Sequence, residues 1–200
     1  EKALLRVRPD RRYQMHELTR QYAAEQVTQL SELRDAHGRY YAKFCQRLNA
    51  HLYDAQSKAM LDDFALAADN ILAAWRWLIQ TVAAGAGHAL ATNWLAQMIP
   101  PMAEWYYAKA FFQAGQQTFA EAAATLTGAG WSTALPANAQ PTPEQTLLAQ
   151  LQLRIGMFTY ELGHYDQLID QIQRVLPLLY AWDNAEELAL ALALLGKGNS

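Results

Sequence analysis

Few stretches of this chain carry residue types that could do chemistry. His16-Glu17-Leu18-Thr19-Arg20 opens like a zinc-hydrolase helix, in which two histidines four residues apart share one face and hold the metal. Arg20 stands where the second histidine is needed, and one histidine cannot hold a catalytic zinc. Gly196-Lys197-Gly198 hints at a phosphate loop, but the glycine required five residues earlier is Ala191 and no Ser or Thr follows Lys197 directly. Asp62 and Asp63 are adjacent, so a helix points them to different faces, as in a solvated acidic patch. His37, His51, His88 and His164 have no partner at a spacing that would form a metal pair, and no nucleophile elbow is present. No catalytic residue and no metal site is therefore expected.

The elements that would position a site are helices. Hydrophobic residues make up 52% of the 200 and charged residues 18%, enough to bury a core and too apolar for disorder. The single cysteine, Cys45, excludes a disulfide framework and fits a reducing cytoplasm. No apolar run has the length of a membrane span and no signal peptide opens the chain, so a membrane partner is not expected. The one strand signal is Ala3 to Val7, with Pro9-Asp10 as a turn and Arg12 to Met15 returning as a short β-hairpin. From His16 onward the spacing is helical. Leu18, Tyr22, Ala23 and Val27 form one stripe, Ala36, Tyr40, Phe44 and Leu48 a second, and Leu61, Phe64, Ala68, Leu72, Trp75 and Ile79 a third. Gly85 and Gly87 end the third helix. The next begins near His88 and should break or kink at Pro100-Pro101, because proline removes a backbone donor and clashes with the preceding turn. Met102 to Phe112 continues as helix, Gly115 separates it from Gln116 to Leu126, and a Gly- and Pro-rich loop runs from Thr127 to Pro143. Glu144 to Leu162, Tyr165 to Trp182 and a helix capped by Asp183-Asn184 complete the chain.

Helix, short turn, helix, repeated, is the pattern of stacked hairpins. In tetratricopeptide register, Ile155-Gly156 forms a leucine–small pair, Gly163-His164-Tyr165 a turn, and Leu168, Ile172 and Val175 the facing helix, with Thr159 where an aromatic is expected. Ala108, Phe111, Gly115, Ala120 and Ala124 take the corresponding places one hairpin earlier, and Leu195-Gly196 opens a further repeat. The expected fold is all-α, with hairpins stacked as a tetratricopeptide-like right-handed solenoid. A compact helical bundle is the alternative. In the solenoid register the inward positions line a partner-binding groove: Met102, Trp105, Lys109, Phe112 and Gln113 from one hairpin, and Gln150, Leu153, Met157, Tyr160 and Glu161 from the next.

Charge is unevenly spread. Residues 1–50 hold ten Lys/Arg against six Asp/Glu, although the whole chain has a net charge of −3. Arg6, Arg8, Arg11 and Arg12 would be the contacts of a DNA-binding segment, but no stacking aromatics lie among them and the chain as a whole is acidic. Nucleic acid is thus not the expected partner.

Arg12-Tyr13-Gln14-Met15-His16-Glu17-Leu18-Thr19-Arg20-Gln21-Tyr22-Ala23 resembles the segment that closes the winged-helix domain of STAND-class signalling ATPases. These include bacterial transcriptional regulators of the antibiotic-regulator and LuxR-like kinds and the NB-ARC proteins. His37-Gly38-Arg39-Tyr40-Tyr41, and Ala68-Asp69-Asn70-Ile71-Leu72-Ala73-Ala74-Trp75-Arg76-Trp77, are similar to the linker helices of the bacterial members. The resemblance implies a winged-helix end over 1–30, a linker hairpin over 31–84, and repeats over 85–200 at about 101–127, 147–182 and a truncated 184–200. It also implies that His16 senses the β-phosphate of ADP, with Glu17 replacing the Asp more usual in eukaryotic members. The phosphate loop would then lie upstream of Glu1, so this fragment would hold no cofactor while the full-length protein would take ADP or ATP with Mg. Its partner would be a protein or peptide, or a small-molecule inducer, with self-association left open. A helical enzyme with an unmotivated site is the remaining alternative.

Overall fold

The computed structural model describes residues 5–7, 13–15, 18–19, 21–22, 30–85, 88–136 and 139–198, with the backbone alone at 5–7, 13–15 and 88. His16, Glu17, Arg8, Arg11, Arg12 and Gly87 lie outside them. The chain divides into two compact units, Glu1–Ala36 and His37–Ser200.

In the first unit β1 (Leu5–Val7) pairs antiparallel with β2 (Tyr13–Met15), Arg6 opposite Gln14. Residues 18–19 and 21–22 are helical, and Leu18 and Tyr22 of the expected apolar stripe are 68% and 65% exposed.

Beyond these, the described residues form seven helices: α1 (Leu30–Asn49), α2 (Ser57–Ala83), α3 (His88–Ala108), α4 (Phe112–Gly128), α5 (Pro143–Glu161), α6 (Tyr165–Ala181) and α7 (Ala185–Gly198). The fold is all-α and built of packed hairpins. From α2 onward each helix packs on the next, and α2 also meets α4, α3 meets α5, and α5 meets α7. One apolar core lies within α1 to α5 and a second within α5 to α7.

The buried faces match the expected stripes in part. On α1 the buried residues are Gly38, Ala42, Cys45 and Leu48, while Tyr40 is exposed. On α2 the expected Phe64, Trp75 and Ile79 are buried together with Met60, Ala67, Ile71 and Ala74, while the expected Leu61, Ala68 and Leu72 lie at the edge. The α1 stripe, a run of four-residue steps, drifts about 40° per step around a helix of 3.6 residues per turn, whereas the mixed threes and fours of the α2 stripe keep closer to one face. Cys45 is completely buried, and loss of hydration pushes its thiol up to about 12.

Helix α3 runs unbroken through Pro100 and Pro101, contrary to the expected break. Pro101 cannot donate to the Gln97 carbonyl four residues back. Asn49 supplies the donor instead, its Nδ2 lying 2.9 Å from that oxygen, so the carbonyl freed by the proline is satisfied by a neighbouring side chain. The turn after α3 is also earlier than expected. It falls at 109–111, where Ala110 takes φ 55°, and Gly115 sits inside α4 rather than between helices. Gly115 is needed for contact: a Cβ there would stand 2.7 Å from the Phe158 ring of α5. Gly156 does the same toward α6, where a Cβ would meet Ile172 Cδ1 at 2.8 Å.

The expected facing residues of α6, Leu168, Ile172 and Val175, are all buried. Thr142 and Gln145 form a capping box at the start of α5, with Pro143 opening the helix. Thr159, out of place for an aromatic, is buried. Its hydroxyl donates to the Ile155 carbonyl and accepts from Gln116 Nε2 at 2.8 Å, tying α4 to α5.

Candidate functional site

Alternate helices α3, α5 and α7 wall a groove of ≈750 Å3, with Leu52 and Tyr53 from the segment after α1 at its rim. Its floor is charged. Arg154 of α5 and Glu187 of α7 form a two-pronged pair, Nη1 to Oε2 and Nη2 to Oε1 both at 2.8 Å, and both side chains are more than nine-tenths buried. Gln150 Nε2 adds a third donor to Glu187 at 3.1 Å. Asn184 caps α7 by accepting from the Glu187 backbone N–H at 3.1 Å, which fixes the first turn that carries the glutamate. Two planar charged groups with parallel hydrogen bonds offset much of each other's desolvation cost.

Around this floor the groove presents Glu104 from α3 and Glu186 from α7. Glu104 is half-buried, and that burial raises its carboxyl pKa. The Tyr53 phenol is raised as well, first by lost hydration and then by Glu104, with Arg154 opposing. Like any tyrosine hydroxyl it is neutral and able to donate at neutral pH. Asn49 and Gln97 reach the groove from the proline-satisfying contact described above, and Met157, Trp182 and Leu190 supply apolar wall.

The residues expected to line a groove are distributed over three settings. Gln150 and Met157 do line it. Met102 and Leu153 are fully buried in the two cores and cannot touch a ligand, a correction to their expected place. The rest lie elsewhere. Trp105 stacks on Phe64 at 5.1 Å, and its buried indole N–H has no hydrogen-bond partner among the described residues. Lys109 and Gln113 are exposed near the α3–α4 turn, and Phe112 packs against Tyr107 at 5.7 Å. Tyr160 lies under Lys197 Nζ at 5.2 Å and beside Tyr165 at 5.5 Å. Glu161 hydrogen-bonds the Tyr107 phenol and, by its charge, raises its pKa. The face chosen from the repeat register is thus offset from the groove, which α3 lines with Asn93, Gln97, Pro100 and Glu104, a stripe that passes between the expected Met102 and Trp105.

Arg154, Glu187 and Glu104 were missed by sequence reasoning. Arg154 is the single charge between Leu147 and Phe158, and a lone arginine in an apolar helix signals a buried partner. Nothing in the sequence names that partner 33 residues away.

Among the described residues no group of three or more His, Cys, Asp or Glu is placed to hold a metal ion, and no helix is long and apolar enough to cross a membrane. Comparison with known proteins gives no matching family model, no similar curated protein and no similar solved structure.

Proposed function

We propose that this chain is the non-catalytic, ligand-receiving part of a bacterial signalling-ATPase-type transcriptional regulator, acting in the cytoplasm. In this reading its hairpins stack as a tetratricopeptide-like solenoid, and α3, α5 and α7 present the concave face that receives a ligand. The observation that carries the reading is the groove itself. It is built from alternate helices, which in a stack of hairpins form one continuous wall, and its floor holds a buried ion pair that an apolar core would not need. The Met15-His16-Glu17-Leu18 motif and the Asp69-Asn70 linker support the second half of the reading, in which ligand capture is relayed to a nucleotide-binding domain upstream of residue 1.

On this account His16 donates to the β-phosphate of ADP in the full-length protein, and the fragment alone neither hydrolyses ATP nor retains ADP. A hydrogen bond to a charged phosphate contributes roughly 1.5–3 kcal/mol, or about ten- to a hundred-fold in affinity. The test uses the chain extended upstream into that domain, purified, denatured and assayed for released nucleotide. ADP held by the native protein and lost from His16→Ala is the expected result. Equal retention in both would leave His16 structural and remove the switch from the account.

A further inference from the structure

The groove on α3, α5 and α7 has an electrostatic bias that its packing does not require. Arg154 and Glu187 neutralise one another at the floor. Glu104 and Glu186 then add two carboxylates, and Arg154 is the sole Lys or Arg among the lining residues, so the concavity carries a net negative charge. Neither carboxylate forms a salt bridge among the described residues. Glu104 is the sharper case. It has lost part of its water and gained no cation in return, and lost hydration alone raises its pKa. A carboxylate held in that state binds a cation more strongly than a fully hydrated one, because part of the desolvation cost is already incurred in the empty groove. The remaining wall combines the apolar surfaces of Met157, Trp182 and Leu190 with the Tyr53 hydroxyl. A volume of ≈750 Å3 lies in the range of small-molecule sites, roughly 300–1,000 Å3.

We propose that the groove binds a small organic ammonium ion, its charge countered by Glu104 and Glu186 and its apolar body lying on Met157, Trp182 and Leu190. The proposal rests on the groove being the ligand-receiving face and deepens that reading by naming the chemistry received. Indole and phenyl skeletons suit the wall, since an aromatic ring can lie on Trp182 while its ammonium reaches a carboxylate.

The test is a set of matched probes, each primary amine paired with the alcohol of the same skeleton: tryptamine with tryptophol, phenethylamine with 2-phenylethanol, and hexylamine with hexanol. Affinity and location are read together from backbone amide shifts of the 15N-labelled chain. The amines should move resonances of α3, α5 and α7 at concentrations at least ten-fold below their alcohols. The Glu104→Gln, Glu186→Gln double variant should bring each pair to within about two-fold while its spectrum stays that of the folded chain. Raising salt from 0.05 to 0.5 M should narrow the preference in the native protein. Amines and alcohols that shift the groove equally would overturn the ammonium and leave the groove standing. Probes that shift only residues outside the groove, or none at all, would overturn both. A lysine-bearing decapeptide that binds the same face more tightly than every amine would overturn the small-ligand commitment.

Discussion

The aromatic core and the groove floor are both buried, and they are held by opposite chemistry. Between α2 and α5, Phe119 and Phe158 stack at 6.1 Å with planes 9° apart, and Trp75 and Tyr106 meet them edge-on. The hydroxyl of Tyr106 pairs with Thr118 Oγ1 at 2.9 Å, while the indole N–H of neighbouring Trp105 has no partner among the described residues. At the groove floor a full positive and a full negative charge are buried together instead. Stacked rings stabilise through area and edge-to-face geometry, about 0.5–1.5 kcal/mol per pair beyond burial. A buried ion pair often gains nothing over apolar side chains of the same size, yet is costly to leave half-made. The aromatic region is thus what a fold needs. On the reading proposed above, the charged region is what a site keeps.

The sharpest way to break this contrast is to remove half of the pair. Arg154→Met leaves Glu187 buried without its partner, and unfolding free energy measured with urea should fall by about 3–5 kcal/mol. Crowding the aromatic region should cost less. Gly115→Ala drives a methyl into the Phe158 ring, which is pinned by Phe119 and Tyr106. Overpacking of about 1–3 kcal/mol exceeds most of the ~1 kcal/mol gained in helix propensity, so a net loss of up to about 2 kcal/mol is expected. Gly156→Ala meets two aliphatic side-chain tips, Ile172 Cδ1 at 2.8 Å and Leu168 Cδ1 at 3.3 Å, and its midpoint should stay within about 1 kcal/mol of the native value. Equal losses at the two glycines would show that the stacked rings are no stiffer than an isoleucine tip.

The smallest effect is expected at Glu104. Burial raises its pKa above the ordinary 4.5, so ionising it costs the folded state stability. That cost is absent in acid below about pH 4.5, grows as pH rises through the raised value, and is complete above it. Glu104→Gln should therefore be the more stable protein at neutral pH, by less than about 1 kcal/mol because solvent screens the partly exposed group. The advantage should vanish in acid. A Gln variant less stable than the native protein at pH 7 would mean that the carboxylate already has a cationic partner.

Helix identity was legible because apolar spacing, capping residues and glycines agree with one another. Pro143 with Glu144 announces the start of α5, and Gly163, at φ +79°, marks the turn before α6. The continuity of α3 was not legible, because Pro101 is tolerated through Asn49, 48 residues away along the chain from the carbonyl it satisfies. The same non-locality hid the site. Repeat register pointed to two of the three helices that wall the groove and to two of its residues, Gln150 and Met157, but gave no residue of α7 and on α3 chose Met102 and Trp105 instead of Glu104 between them. Arg154 was visible as an anomaly and Glu187 was not, since pairing across 33 residues is a property of packing rather than of sequence spacing.

The claim that the charged floor belongs to the site rather than to the fold is tested most directly by the unfolding free energy of the Arg154→Met, Glu187→Leu double variant. Both replacements fill the volume without charge, and the Asn184 cap on the backbone of residue 187 is retained. The account predicts a stability within about 1 kcal/mol of the native protein, or above it, in contrast to the collapse of Arg154→Met alone. A double variant as unstable as the single one would contradict it, and would make the ion pair a structural bolt between α5 and α7.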